Sequence, residues 1–123
     1  MKRITLAFLI GIGVVDGASA HDAARRASVD AMQAALSVCV AYFSLEMKCS
    51  DENSLGAKLA RVAERSERAA RVLGMPAADV ALRLELNTTI QMSLIQESCA
   101  NVTMLRSRYD VECNPLAGDD DPK

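Results

Sequence analysis

The sequence predicts an all-α domain: a small up-down-up helical bundle with a long third helix, stapled by two inter-helix disulfides. Three observations carry this. Apolar residues recur at three- and four-residue steps along three segments. Turn chemistry separates the first two segments at Cys49-Ser50-Asp51-Glu52-Asn53-Ser54, and Gly74-Met75-Pro76 separates the second from the third. Four cysteines, an even number, follow a leader of secretory type.

The leader is Met1-Lys2-Arg3, an apolar run from Ile4 to Val15, and Asp16-Gly17-Ala18-Ser19-Ala20. A basic start, an apolar stretch of this length and an A-x-A site define a signal peptide over residues 1–20, cut after Ala20. The apolar run is too short for the ~20 residues a membrane-spanning helix needs, so no stable membrane insertion is expected after cleavage. A periplasmic or secreted protein is the expectation. Removing the leader takes away Lys2, Arg3 and Asp16 and leaves a mildly acidic chain, which offers no electrostatic grip on nucleic acid. With only 3% aromatic residues, the core is expected to be aliphatic, with methionine as filler.

The helical domain is expected over residues 21–113, with helices at about 22–47, 54–73 and 76–109. The first carries Val29, Met32, Leu36, Cys39, Phe43 and Met47 on one face. In the second, Leu55, Leu59, Val62, Ser66, Ala69 and Leu73 form an inner stripe. Lys58, Arg61, Glu64, Arg65, Glu67, Arg68 and Arg71 then read as a solvated outer face. Gly74 supplies a left-handed stop, Met75 packs back, and Pro76 opens the third helix.

The third helix gathers Val80, Leu84, Leu94, Ile95, Cys99, Val102, Leu105 and Tyr109 on one broad face. Between Leu86 and Leu105 its only acid or base besides Cys99 is Glu97, so it is expected to be covered on more than one side. Asn87, Thr88 and Gln91 interrupt the apolar face as a polar layer, which must be paired, hydrated or ligand-facing. A second stripe, Leu82, Leu86, Ile90 and Leu94, climbs in four-residue steps toward the opposite side, and Leu82, Leu86 and Ile90 are the candidate surface for a protein partner or a homodimer. Beyond Cys113 the Pro/Gly-punctuated acidic stretch 114–123 is expected to be a disordered tail.

All four cysteines lie after the leader, and disulfides are expected rather than a metal site. Zinc ligands come in close C-x2-4-C pairs, and the nearest pair here, Cys39 and Cys49, is too widely spaced. At 1.5 Å per residue, Cys39 and Cys49 stand ~15 Å apart on one helix, and Cys99 and Cys113 ~20 Å apart on another. A disulfide tolerates at most ~7 Å between Cα atoms, so pairing within a helix is excluded. Parallel first and third helices then pair Cys39 with Cys99 and Cys49 with Cys113.

The sequence supplies little catalytic equipment. There is no C-x-x-C redox motif, phosphate loop or nucleophile elbow, and no cofactor is implied. His21, the single histidine, becomes the first residue after cleavage and reads as a solvated terminal side chain rather than a copper ligand. Glu46, Asp51 and Glu52 read as acids solvating a helix end, with Lys48 as partner. Asn87-Thr88-Thr89 and Asn101-Val102-Thr103 fit the glycosylation pattern, but inside a helix. The expected function is therefore that of a small exported non-enzymatic helical protein acting through protein-protein contacts. The alternative is a small apolar-ligand carrier that uses Asn87, Thr88 and Gln91 for polar specificity.

Overall fold

The computed structural model describes residues 17–118. Most of the predicted leader, and the acidic residues 119–123, lie outside that range. The described chain is helical: α1 (Gly17–Cys49), α2 (Ser54–Leu73), α3 (Ala77–Leu94), a single 3-10 turn (Cys99–Asn101) and α4 (Val102–Leu116). The all-α bundle with two inter-helix disulfides is as the sequence implies. The long third helix is not: it is two helices with a reversal between them.

Helix α1 runs two residues beyond the expected end, because nothing before Ser50 breaks it, and it extends back through the predicted cleavage point. Helix α2 occupies the expected span. Its stop is a Schellman motif: Gly74, at φ +68°, donates its N–H to Arg71 at 3.1 Å, and Met75 donates to Ala70 at 2.9 Å. Its inner stripe is as expected, with Leu55, Val62, Ser66 and Ala69 buried.

The reversal after α3 repeats the same geometry without glycine. Gln96 N–H donates to Ser93 O at 3.0 Å and Glu97 N–H to Met92 O at 2.9 Å, closing a second Schellman-type turn. Gln96 and Glu97 both sit in the left-handed region, at φ 53° and 56°. Ser98 starts the next element: its Oγ accepts from Ala100 N–H at 3.2 Å. Buried Ile95 anchors the corner, and Asn101 Nδ2 donates to its carbonyl at 2.9 Å. A stop made from Gln-Glu in place of Gly carries no sequence signal, so the apolar periodicity reads straight through it.

Contacts fix the directions. Gln33 meets Ser66 and Arg26 meets Leu73, so α2 runs antiparallel to α1. Arg83 meets Asp30 and Gln91 meets Val38, so α3 runs parallel to it. Arg106 meets Glu46 and Asp110 meets Tyr42, so α4 runs antiparallel. The order is up-down-up-down, and α1 is the rod that all the others touch.

This corrects the cystine pairing. The bonds are Cys39–Cys113 and Cys49–Cys99, with Cα–Cα distances of 5.4 and 5.3 Å. The expected pairs assumed that Cys99 and Cys113 lie on a helix parallel to α1. Because the chain turns back at Gln96 and Glu97, the later cysteine lies beside the earlier one. Each bond closes a long loop, and the chain-entropy account assigns about 4 kcal/mol to a loop of that size.

The core lies along the C-terminal half of α1, where Leu36, Cys39, Ala41, Tyr42, Phe43 and Leu45 are all buried, and Val62, Ile95, Leu105 and Cys113 close over them. Ala20–Cys49 is long and apolar enough to cross a membrane by composition alone. The same composition suits a rod packed against three neighbours. The core is less aliphatic than expected: Tyr42 and Phe43 are at its centre, with ring centroids 5.0 Å apart, and Tyr109 packs 5.8 Å from Tyr42. The methionines are less buried than expected. Met32, Met47 and Met104 are about half exposed, and Met92 packs against the core.

The chain after Cys113 is also more ordered than expected, as far as Gly118. Ala117 is buried, Arg61 Nε donates to its carbonyl at 2.6 Å, and Arg65 binds the carbonyls of Leu116 and Gly118. Lys58 reaches Asn114 Oδ1 at 3.1 Å. Cations on the last carbonyls of a helix are favourable. Part of the basic face of α2 therefore holds the end of α4, instead of only facing water.

Candidate interaction surface

Two polar clusters fix α3 and α4 to α1. In the first, Arg83 of α3 forks between Gln33 Oε1 and Asp30 Oδ1, each at 2.8 Å, and Gln33 Nε2 donates to Ser66 Oγ of α2 at 3.0 Å. Gln33 and Ser66 are buried, so this chain of bonds satisfies groups that would otherwise destabilise the fold. Sequence reading missed it: Gln33 lies beside the apolar stripe of α1, and its partners are about fifty and thirty-three positions away.

The second cluster sits between the two cystines. Arg106 of α4 grips the buried Glu46 carboxylate at 2.7 and 3.1 Å. The Tyr42 hydroxyl bridges Glu46 Oε2, at 2.9 Å, and Asp110 Oδ1. Burial, then the hydrogen bonds to Asp110 and Glu46, push the Tyr42 phenol well above its ordinary range, so it stays protonated. The hydrogen bond to Glu46 raises Arg106 further still. Glu46 is thus not the solvated helix-end acid expected from its neighbours, and its partner is Arg106 rather than Lys48. A phenol held neutral and a carboxylate engaged by a guanidinium suit this cluster to locking α4 in place. Among the described residues, no group of three or more His, Cys, Asp or Glu side chains could hold a metal ion.

The polar layer singled out in the sequence is divided. Gln91 is buried and donates to Val38 O at 3.0 Å, and its Oε1 meets no donor among the described residues. Asn87 turns back onto its own helix, donating to Arg83 O at 2.8 Å, and Thr88 is half-buried. None of the three lines the principal clefts. The cleft between α2 and α3, about 350 Å³, is formed by Glu67, Ala70, Met75, Val80, Ala81 and Leu84 among others. A smaller one of about 110 Å³ adjoins it, with Ser37 and Ser66 in its lining.

The second stripe is outside as far as Ile90, and its last member, Leu94, packs against the core instead. Leu82, Leu86 and Ile90 are 52%, 55% and 55% exposed. Gln91 is the one buried residue of α3, so the expectation of a helix covered on several sides does not hold for this segment. The neutral length is divided by the reversal: Ile95, Val102 and Leu105 go to the core, and the stripe before them is left in solvent. Scattered exposed apolar residues are ordinary, whereas these three are aligned on one face of one helix.

No protein-family model, no curated protein and no solved structure matches this chain.

Proposed function

We propose that this is an exported helical protein without catalytic function that works by docking the outer face of α3 onto another protein surface. The observation that carries the reading is the alignment of Leu82, Leu86 and Ile90, each more than half exposed, on a helix otherwise anchored by Arg83 and Gln91. Two cystines and an apolar leader are compatible with export to an oxidising compartment. The ligand-carrier reading ranks behind it, because Asn87 and Gln91 spend their amide donors on backbone carbonyls.

The test is site-specific photocrosslinking in the native compartment. A photoreactive side chain at Leu86 should give discrete protein adducts, and one at exposed Glu112 on α4 should give none. Equal labelling at both sites, or no adduct at Leu86, contradicts the reading.

A further inference from the structure

Independently of the α3 face, we infer that the acidic run Asp119-Asp120-Asp121 folds back as a strap, held by a basic ladder along α2 and closing the groove between α1 and α2. Lys58, Arg61, Arg65 and Arg68 follow at three- and four-residue steps and so share one edge of α2. The first three hold the end of α4: Lys58 takes Asn114 Oδ1, Arg61 the Ala117 carbonyl, and Arg65 the carbonyls of Leu116 and Gly118. The chain therefore leaves Gly118 beside the third rung, travelling toward the fourth, with three carboxylates as its next side chains.

The groove is open at that point. Helix α4 stops at Leu116, and beyond it a cleft of about 350 Å³ is lined by Met32 and Leu36 of α1, Ala69 and Val72 of α2, and Pro115 and Leu116, with Arg65 and Arg68 in its wall. Met32 and Val72 are left 46% and 63% exposed. Because Pro115 and Leu116 already line this cleft, its nearest occupant is the continuation of the same chain. From Arg65 to Val72 is ~10 Å of helix, and four extended residues cover ~13 Å, so Pro122 can reach Met32 and Val72.

Charge points the same way. Three adjacent carboxylates just after a helix C-terminus repel one another and the negative end of the dipole, and the arginines offset both. Arg68 pairs with Glu64 at 3.1 Å, but both side chains are more than half exposed, so that bond is weak and can be shared. The short tether from Gly118 holds the acids at the ladder at an effective concentration of roughly millimolar, which an acidic segment from solution must exceed.

The experiment uses the oxidised chain with its acidic end intact. A diazirine side chain in place of Pro122 keeps all three carboxylates and should crosslink to Val72 or Met32 within the same molecule. Asp119→Asn, Asp120→Asn and Asp121→Asn together should cut that yield about fivefold, the scale of several surface ion pairs acting at once, with the helical signal and both cystines intact. Peroxide gives a second readout that needs no probe. Met32 and Met47 are almost equally exposed in the bundle of residues 17–118, at 46% and 44%, so slower oxidation of Met32, relieved by the triple substitution, reports the strap. Adducts from position 122 to α3, an equal yield without the three acids, or Met32 oxidation that the substitution leaves unchanged would each overturn the proposal. Adducts between two molecules, rising with protein concentration, would assign the cleft to a neighbour's acidic run and overturn it too.

Discussion

Arg106 holds Glu46 with two guanidinium nitrogens, at 2.7 and 3.1 Å, across sixty positions of sequence. Glu46 is 4% exposed, whereas the Arg106 side chain is 41% exposed. The two partners therefore differ in what their loss would cost. Glu46→Gln removes charge-assisted bonds at a buried site and should lower stability by about 1–3 kcal/mol. Arg106→Gln strands a buried carboxylate and should cost at least as much. Urea unfolding of both variants measures this, and losses below 0.5 kcal/mol for both would place the pair on the surface.

Tyr42 gives the fold an alkaline limit. An unfolded tyrosine ionises near 10, and the folded one holds its proton to higher pH because of burial and the bonds to Asp110 and Glu46. Above about pH 10 the native state therefore binds more protons than the unfolded state. The contribution of Tyr42 is present in full below that point and is lost as pH rises beyond it. Urea midpoints between pH 8 and 11 in a Tyr109→Phe background should fall at the alkaline end, and adding Tyr42→Phe should flatten that fall. An unchanged slope would contradict the assignment.

The reversal at the end of α3 makes a prediction of sign. Gln96 and Glu97 are exposed and left-handed, a conformation that costs most L-residues about 1–2 kcal/mol and glycine nothing. Gln96→Gly and Glu97→Gly should each be neutral or stabilising by up to about 1 kcal/mol. In an unbroken helix, each would destabilise by about 0.5–1 kcal/mol. At Gly74, φ is +68° and an added Cβ would meet nothing within 4 Å, so Gly74→Ala should cost about 1 kcal/mol through the backbone alone.

The cystines should open in order. Cys39 and Cys113 are fully buried, whereas Cys99 is exposed and Cys49 half-buried. Limiting reductant followed by alkylation should label Cys49 and Cys99 first, since thiol exchange requires access to sulfur. Labelling of Cys39 and Cys113 ahead of them would contradict the burial order.

How much was legible in the sequence depended on whether the structure used local rules. Helix α2 was readable from Ser54 to Leu73 because its face is sharply two-sided and Gly74 ends it. The exposed stripe was readable because four-residue steps are a local pattern. The stop at Ile95–Ser98 was not, since Gln and Glu stand where glycine is usual, and only Ser98, a good N-cap, marked a new start. From that one missed turn follow the wrong cystine partners, the lost fourth helix and the supposed solvation of Glu46. Arg106 could be matched to Glu46 only once α4 was known to run back along α1.

The reversal at Gln96 and Glu97 carries the account, since it crosses the cystines, brings α4 back over the core and leaves α3 with a free outer face. Non-reducing peptide mapping of the oxidised protein reads it directly. The expected result is peptides joining Cys39 to Cys113 and Cys49 to Cys99. Peptides joining Cys39 to Cys99 and Cys49 to Cys113 would restore one continuous helix and contradict the fold described here, together with the surface proposed on it.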